Sequence, residues 1–137
     1  MKIDQVKAIV TGGASGMGRA FALNLAKEGA AVTICDLSEE NMAETQALAE
    51  DFSGSIHTVK ANVAVEDDVV NLIGAAHEAM GGLNALVNNA GIFRDGLLVK
   101  KDRKTGEIKK MSPKNSNPVS DVGCTGPFLC SRGFAAK

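Results

Sequence analysis

The sequence contains neither tryptophan nor tyrosine, and only five phenylalanines among 137 residues. Surfaces that bind nucleic acid commonly join stacking aromatics to a basic field. With a net charge of −1 the chain offers neither, and that class is excluded. Cysteine is scarce too. Cys35, Cys124 and Cys130 form an odd set with no C-x-x-C pair and no histidine at zinc spacing, so neither a disulfide framework nor a metal centre is expected. All three read as small, buried apolar side chains. No window approaches the roughly 18 uninterrupted apolar residues of a membrane span, and Met1-Lys2 runs into Ile3-Asp4 without the apolar block of a signal peptide. A cytoplasmic protein is expected.

What is present is a composition 45% hydrophobic, enough to build a core in one domain spanning residues 1–137. Short β-branched runs alternate with helical patterns. "VKAIVTG" (6–12) predicts a strand; "GRAFALNLAKEGA" (18–30) predicts a helix packing through Phe21, Ala22 and Leu25 and stopping at Gly29. "AVTICD" (31–36) is a second buried strand, followed by Ser38 as N-cap of a helix through "EENMAETQALAEDF". "SIHTVKANV" (55–63), "EDDVVNLIGAAHEAMGG" (66–82) and "LNALVNNAG" (83–91) read as a third strand, a third helix with acids in its first turn, and a fourth strand. Strands apolar throughout, separated by helices, predict βαβ units and a parallel sheet covered on both faces, hence an α/β fold. His57 falls in the third strand and His77 on the third helix, where both are expected to be structural or solvated.

The first strand-to-helix turn, "TGGASGMG", sets Gly12, Gly16 and Gly18 in a G-x-x-x-G-x-G pattern. Glycines there permit a tight turn, close approach of backbone N–H groups to a pyrophosphate, and close packing of helix on sheet, while the helix N-terminus supplies positive dipole. Asp36 ends the second strand about 20 residues beyond that loop, the place of a carboxylate that binds both ribose hydroxyls of NAD; the competing reading is a turn Asp capping the next helix. The 2′-phosphate of NADP would be repelled by this carboxylate and would call for a nearby cation, whereas Ser15 and Leu37 are neutral. NAD is therefore expected over NADP. A P-loop would need Lys-Ser/Thr after the last glycine, where Arg19-Ala20 stands.

Taken together, Thr11-Gly12, Gly16 and Gly18 with Asn88-Asn89-Ala90-Gly91 and the acid at position 36 resemble the N-terminal half of the short-chain dehydrogenase/reductase family. The resemblance covers about residues 4–99. It implies a Rossmann-type, doubly wound parallel sheet of strand order 3-2-1-4, ending before the family's strands 5–7. It further implies cofactor contacts from Gly12, Ser15, Gly16, Met17 (through its N–H), Gly18, Asp36, Leu37, Asn62, Val63, Asn88, Asn89, Ala90 and Gly91. Asn62 stands where the family usually has Asp beside the adenine.

Beyond the fourth strand the resemblance strains. "RDGLLVK" (94–100) is followed by about ten extra residues, Lys101 to Lys110, so that 100–112 reads as an inserted basic hairpin turning at Gly106, its lysines a solvated surface or a docking tip. Ser116 replaces the usual Trp, Ser120 an inward apolar residue, and Gly123 the catalytic Asn. Pro118 stands where a helix former is usual, which predicts either a weak helix start or a later one near Val119 that places the proline in the first turn. The family's catalytic Tyr and Y-x-x-x-K turn have no counterpart, since the chain has no Tyr, and no catalytic residue is assigned. Three readings stay open: an NAD-dependent oxidoreductase of alcohols or ketones whose catalytic half is not in this chain, a noncatalytic nucleotide-binding subunit, or a degenerate remnant. The resemblance implies a homo-oligomer or pairing with another chain of the family. It also implies an unpaired edge on the fourth strand that needs cover.

Overall fold

A computed structural model describes residues 1–92 and 99–136; residues 94–98 of the "RDGLLVK" stretch lie outside them. After a 3₁₀ turn, Ile3–Gln5, the order is β1 (Lys7–Thr11), α1 (Gly16–Lys27), β2 (Ala31–Asp36), α2 (Glu39–Ala47), β3 (Ser55–Lys60), α3 (Glu66–Met80) and β4 (Ala85–Val87). A hairpin follows, β5 (Val99–Lys101) and β6 (Ile108–Lys110), then α4 (Pro113–Ser120), a π-helical turn (Asp121–Thr125) and α5 (Gly126–Ala135). The four main strands form one parallel sheet of order β3-β2-β1-β4, the order implied by the sequence.

Alternate residues of β1 and β2 point to opposite faces, which accounts for two separate apolar clusters. On one face Val10, Val32 and Ile34 pack with Ala22 and Ala26 of α1 and Met42 of α2. On the other, Ile9 and Cys35 pack with Val69, Leu72, Ile73 and Ala76 of α3 and with Leu129 and Cys130 of α5. The covering face of α1 is Gly18, Ala22 and Ala26. The expectation of Phe21 as an anchor is corrected, because its side chain is 47% exposed. Small residues at i, i+4 and i+8 let the helix lie close to the sheet, where a phenylalanine would hold it off.

Element ends follow local chemistry. Ser38 caps α2 by accepting from Asn41 N at 3.3 Å, and Gly29 takes a positive φ of 96° after α1. β4 is shorter than the stretch 83–91 suggests; just before it Asn84 N donates to Lys7 O at 3.0 Å, while its side-chain Oδ1 accepts from Lys7 N and its Nδ2 donates to Gln5 O, both at 2.7 Å. Ser112 and Pro113 open α4, so the helix does not begin near Val119; Pro118 sits inside it. Without an N–H to bond the preceding turn, that proline weakens the α ladder. The helix then widens, with Gly126 N reaching Asp121 O, an i→i+5 bond. Gly126 has a steric reason to be glycine, because a Cβ there would lie 2.8 Å from Val63 Cγ2; Gly123 has none. Cys35 and Cys130 are buried as expected, but Cys124, on the π turn, is exposed.

Candidate nucleotide-binding site

The C-terminal ends of β1, β2, β3 and β4 converge on a cleft of about 110 Å³. Of the residues expected at a site, Gly12, Asp36, Leu37, Asn62, Val63, Ala90 and Gly91 line it, joined by Cys35, Ala61, Ile92 and Val122, which no pattern in the sequence had marked. Ser15, Gly16 and Met17 sit beside it, exposed at the start of α1, whereas Gly18 is buried behind the loop. Asn88 faces another way and donates from Nδ2 to Ser131 Oγ of α5 at 3.2 Å.

Each glycine of the loop has its own reason. Gly12 has φ 67°, and a Cβ on it would lie 2.9 Å from Ala90 Cα. A Cβ on Gly18 would lie 2.0 Å from Gly12 O, so α1 can meet the loop only through glycine. Gly16 has φ 55° and nothing within 4 Å of where its Cβ would stand; the space above it is open to a ligand. Gly13, a variable position of the motif, is also constrained, since its Cβ would meet Ile34 Cβ at 2.5 Å.

Behind the loop lies a polar clamp. Thr11 Oγ1 accepts from Asn89 N and Ala90 N, both at 3.0 Å, and donates to Val87 O at 3.4 Å. Asn89 Nδ2 donates to Thr11 O at 3.1 Å and Gly12 O at 3.2 Å. The Asn89 side chain is thus turned to the backbone of β1, holding the loop instead of lining the cleft. Cys35 O receives Gly12 N at 2.8 Å and Gly13 N at 3.2 Å.

On its outer side the loop is tied by Arg19, whose guanidinium donates to Ala14 O, Thr45 Oγ1, Asn41 O and Glu44 Oε2 at distances from 2.7 to 3.2 Å. These bonds engage Nε and Nη2 of the guanidinium. Asp36 Oδ2 accepts from Ala14 N at 3.3 Å, and Oδ1 from Leu37 N at 2.7 Å and Ser38 N at 3.3 Å. Three amide donors fix the orientation of the carboxylate and leave acceptor capacity on both oxygens. Among the described residues Asp36 is the one charged side chain lining the cleft. Asn62 Oδ1 accepts from Ala64 N at 3.0 Å.

The first helical bond of α1 runs from Arg19 N to Ser15 O at 3.2 Å, so the N–H groups of Gly16, Met17 and Gly18 precede the ladder. The Ser15 hydroxyl makes no capping bond, and the first turn carries no acid. Unladdered N–H groups and a helix dipole unneutralised at its positive end are the chemistry that suits an anion.

The short chain dehydrogenase family profile matches residues 6–137. The chain belongs to that family. It is 37% identical over 100 residues to a 3-oxoacyl-(acyl-carrier-protein) reductase of Thermotoga maritima, covering 73% of this chain and 41% of that one. It is 34% identical over 137 residues to a short-chain type dehydrogenase/reductase of Picea abies, covering 95% and 48%. Among solved structures, a short-chain dehydrogenase/reductase mutant of Serratia marcescens superposes with a TM-score of 0.84 at 26% identity, over 99% of this chain and 52% of the other. This short-chain dehydrogenase chain thus spans about half the length of the relatives it matches. Among its described residues no helix is long and apolar enough to cross a membrane, and no cluster of three or more potential metal ligands occurs.

Cys35 bears on the stability of this short-chain dehydrogenase site rather than its chemistry. Burial, with Cys130 adding to it, pushes the Cys35 thiol from 9.0 to about 12. The folded state holds its proton where the unfolded chain releases it, so the contribution to stability is fully present below pH 9. It is lost as pH rises towards 12, at about 1.4 kcal/mol per pH unit in that window. Denaturation midpoints measured between pH 8 and pH 11 are expected to fall more in the wild type than in Cys35→Ala. Equal slopes in the two proteins would refute this.

Proposed function

We propose that the chain is the cofactor-binding half of an NAD-dependent oxidoreductase that moves a hydride between nicotinamide and an alcohol or ketone. The observation that carries the reading is Asp36, held by three backbone amides at the edge of the cleft and the one charged side chain among the described residues that line it. The Ser15 hydroxyl and the N–H groups of Gly16, Met17 and Gly18 would receive the pyrophosphate. The Asp36 carboxylate would accept from the adenosine ribose, with Leu37 over the sugar, while Asn62 and Val63 would flank the base and Ala90 and Gly91 the path towards nicotinamide. Open space at Gly16 and the strand-end clamp fit such a group. Bound NAD would supply the hydride acceptor.

Proton transfer needs a group of tuned acidity, and the chain has no Tyr. Chemistry is accordingly assigned to a further half, with a family-type oligomer as its setting. The 137-residue chain alone is expected to bind without turnover.

Discrimination against NADP follows from charge. A 2′-phosphate placed against Asp36 would be repelled, while the Arg19 guanidinium is held towards Ala14, Asn41, Glu44 and Thr45 through Nε and Nη2. Calorimetric titration of the full chain should show NAD binding at least about 10-fold tighter than NADP. Asp36→Ala should weaken NAD about 10- to 100-fold, the loss of hydrogen bonds to a charged acceptor. Asp36→Ser with Leu37→Arg should turn the preference to NADP. Equal affinity of the wild type for the two cofactors would overturn the NAD reading.

A further inference from the structure

The hairpin β5–β6 is not used by the site described above. Residues 99–110 carry six lysines and arginines against two acids, while the rest of the chain carries nine against fourteen. Every residue of both strands is exposed. Neither acid forms an ion pair with these cations among the described residues, and none of the salt bridges there involves the hairpin. Asp102 is committed to the turn, its Oδ1 accepting from Lys104 N at 2.8 Å and Thr105 N at 3.1 Å.

The register sorts the residues into two faces. Val99 pairs with Lys110, Lys100 with Lys109, and Lys101 with Ile108. Side chains alternate along a strand, so Val99, Lys101, Ile108 and Lys110 share one face as a checkerboard of two apolar groups and two ammoniums. Lys100 and Lys109 stand opposite each other on the reverse face. Like charges directly across a ladder destabilise it, and an isolated two-stranded hairpin is marginal by itself. Val99 is 58% and Ile108 61% exposed, and an open concavity runs along Val99 to Lys104. Val and Ile favour the strand itself, and here the two also stand diagonally on one face, each beside a lysine.

We propose that the Val99–Lys101–Ile108–Lys110 face of this hairpin docks an acidic, amphipathic segment of a partner protein. The partner's carboxylates meet Lys101 and Lys110, and its apolar side chains cover Val99 and Ile108. Arg103 and Lys104 at the tip add to the field that steers it in. A single-stranded nucleic acid would favour aromatic platforms, and residues 99–110 contain none. A bilayer would favour a broader apolar surface than two residues.

The test uses the full chain and a fluorescein-labelled helical peptide with glutamates along one side and leucines along the other, read by anisotropy. Lys101→Gln with Lys110→Gln should weaken peptide binding about 10-fold, and Val99→Ser with Ile108→Ser about 5-fold. Lys100→Gln with Lys109→Gln removes the same charge from the other face and should change affinity less than about 3-fold. Replacing Lys101 and Lys110 by Glu should transfer binding to a lysine-for-glutamate version of the peptide, which shows that the altered hairpin still folds. Several results would overturn the proposal: no peptide binding, equal losses from the two lysine pairs, or tighter binding of oligothymidylate or phosphatidylglycerol vesicles than of the peptide.

Discussion

Gly18→Ala is expected to lower the thermal midpoint by roughly 10 °C and to remove measurable NAD binding, the loss of about 2–3 kcal/mol that overpacking at a rigid contact brings. Alanine in a helix is favoured over glycine by about 1 kcal/mol, so propensity alone predicts the opposite sign. The contact decides it. A methyl at this position would stand 2.0 Å from Gly12 O and 2.5 Å from Asn89 Nδ2, and both are backbone or clamped to backbone. Either α1 lifts from the sheet, which uncovers Ala22 and Ala26, or the loop shifts and its N–H groups lose their common aim. Gly16→Ala is the informative comparison. No atom lies near its Cβ position, so its cost is confined to the positive φ, about 1 kcal/mol. Scanning calorimetry of the two variants, with NAD titration of each, checks the ranking. A Gly18→Ala protein that melts no lower than Gly16→Ala would contradict the packing account.

Thr11→Val is the second large effect. The substitution keeps the shape and deletes the oxygen that accepts from both Asn89 N and Ala90 N. Thr11 is 1% exposed, so water cannot readily replace it, and a buried donor left unmatched costs about 1–3 kcal/mol. A total loss of about 3 kcal/mol is expected in urea denaturation. Thr11→Ser, which keeps the hydroxyl and sheds a methyl, should lose less than half of that. A Thr11→Val protein that loses no more than Thr11→Ser would mean that the hydroxyl is not what chiefly joins the ends of β1 and β4.

Much of the architecture is visible in the sequence because each run of apolar residues is short, β-branched and followed by a helical period; strand order then follows from parallel pairing. The loop glycines at 12, 16 and 18 are visible for the same reason, as spacing within a strand-turn-helix frame. Other features depend on partners distant in sequence. Arg19 looks like an ordinary helix residue until α2 brings Asn41, Glu44 and Thr45 against it. Gly13 gains its constraint from Ile34 of the neighbouring strand, and Asn89, expected beside a cofactor, turns out to face the backbone of β1. Phe21 satisfies the helical period but loses to alanines, because closeness to the sheet outweighs bulk. Pro118 argues for a later helix start on local grounds. The observed helix keeps it and widens just beyond, where Gly126 settles onto Val63.

The wiring of Arg19 has one more consequence. The guanidinium and the Asp36 carboxylate grip Ala14 from opposite directions, one at its carbonyl and one at its N–H, and Thr11 with Asn89 holds the next turn from below. The loop is thus fastened on every side except the one it would present to a phosphate. Its conformational freedom is already spent when the chain folds, so a ligand arriving there would meet a shape that needs little further ordering, and its contacts would count almost wholly towards affinity.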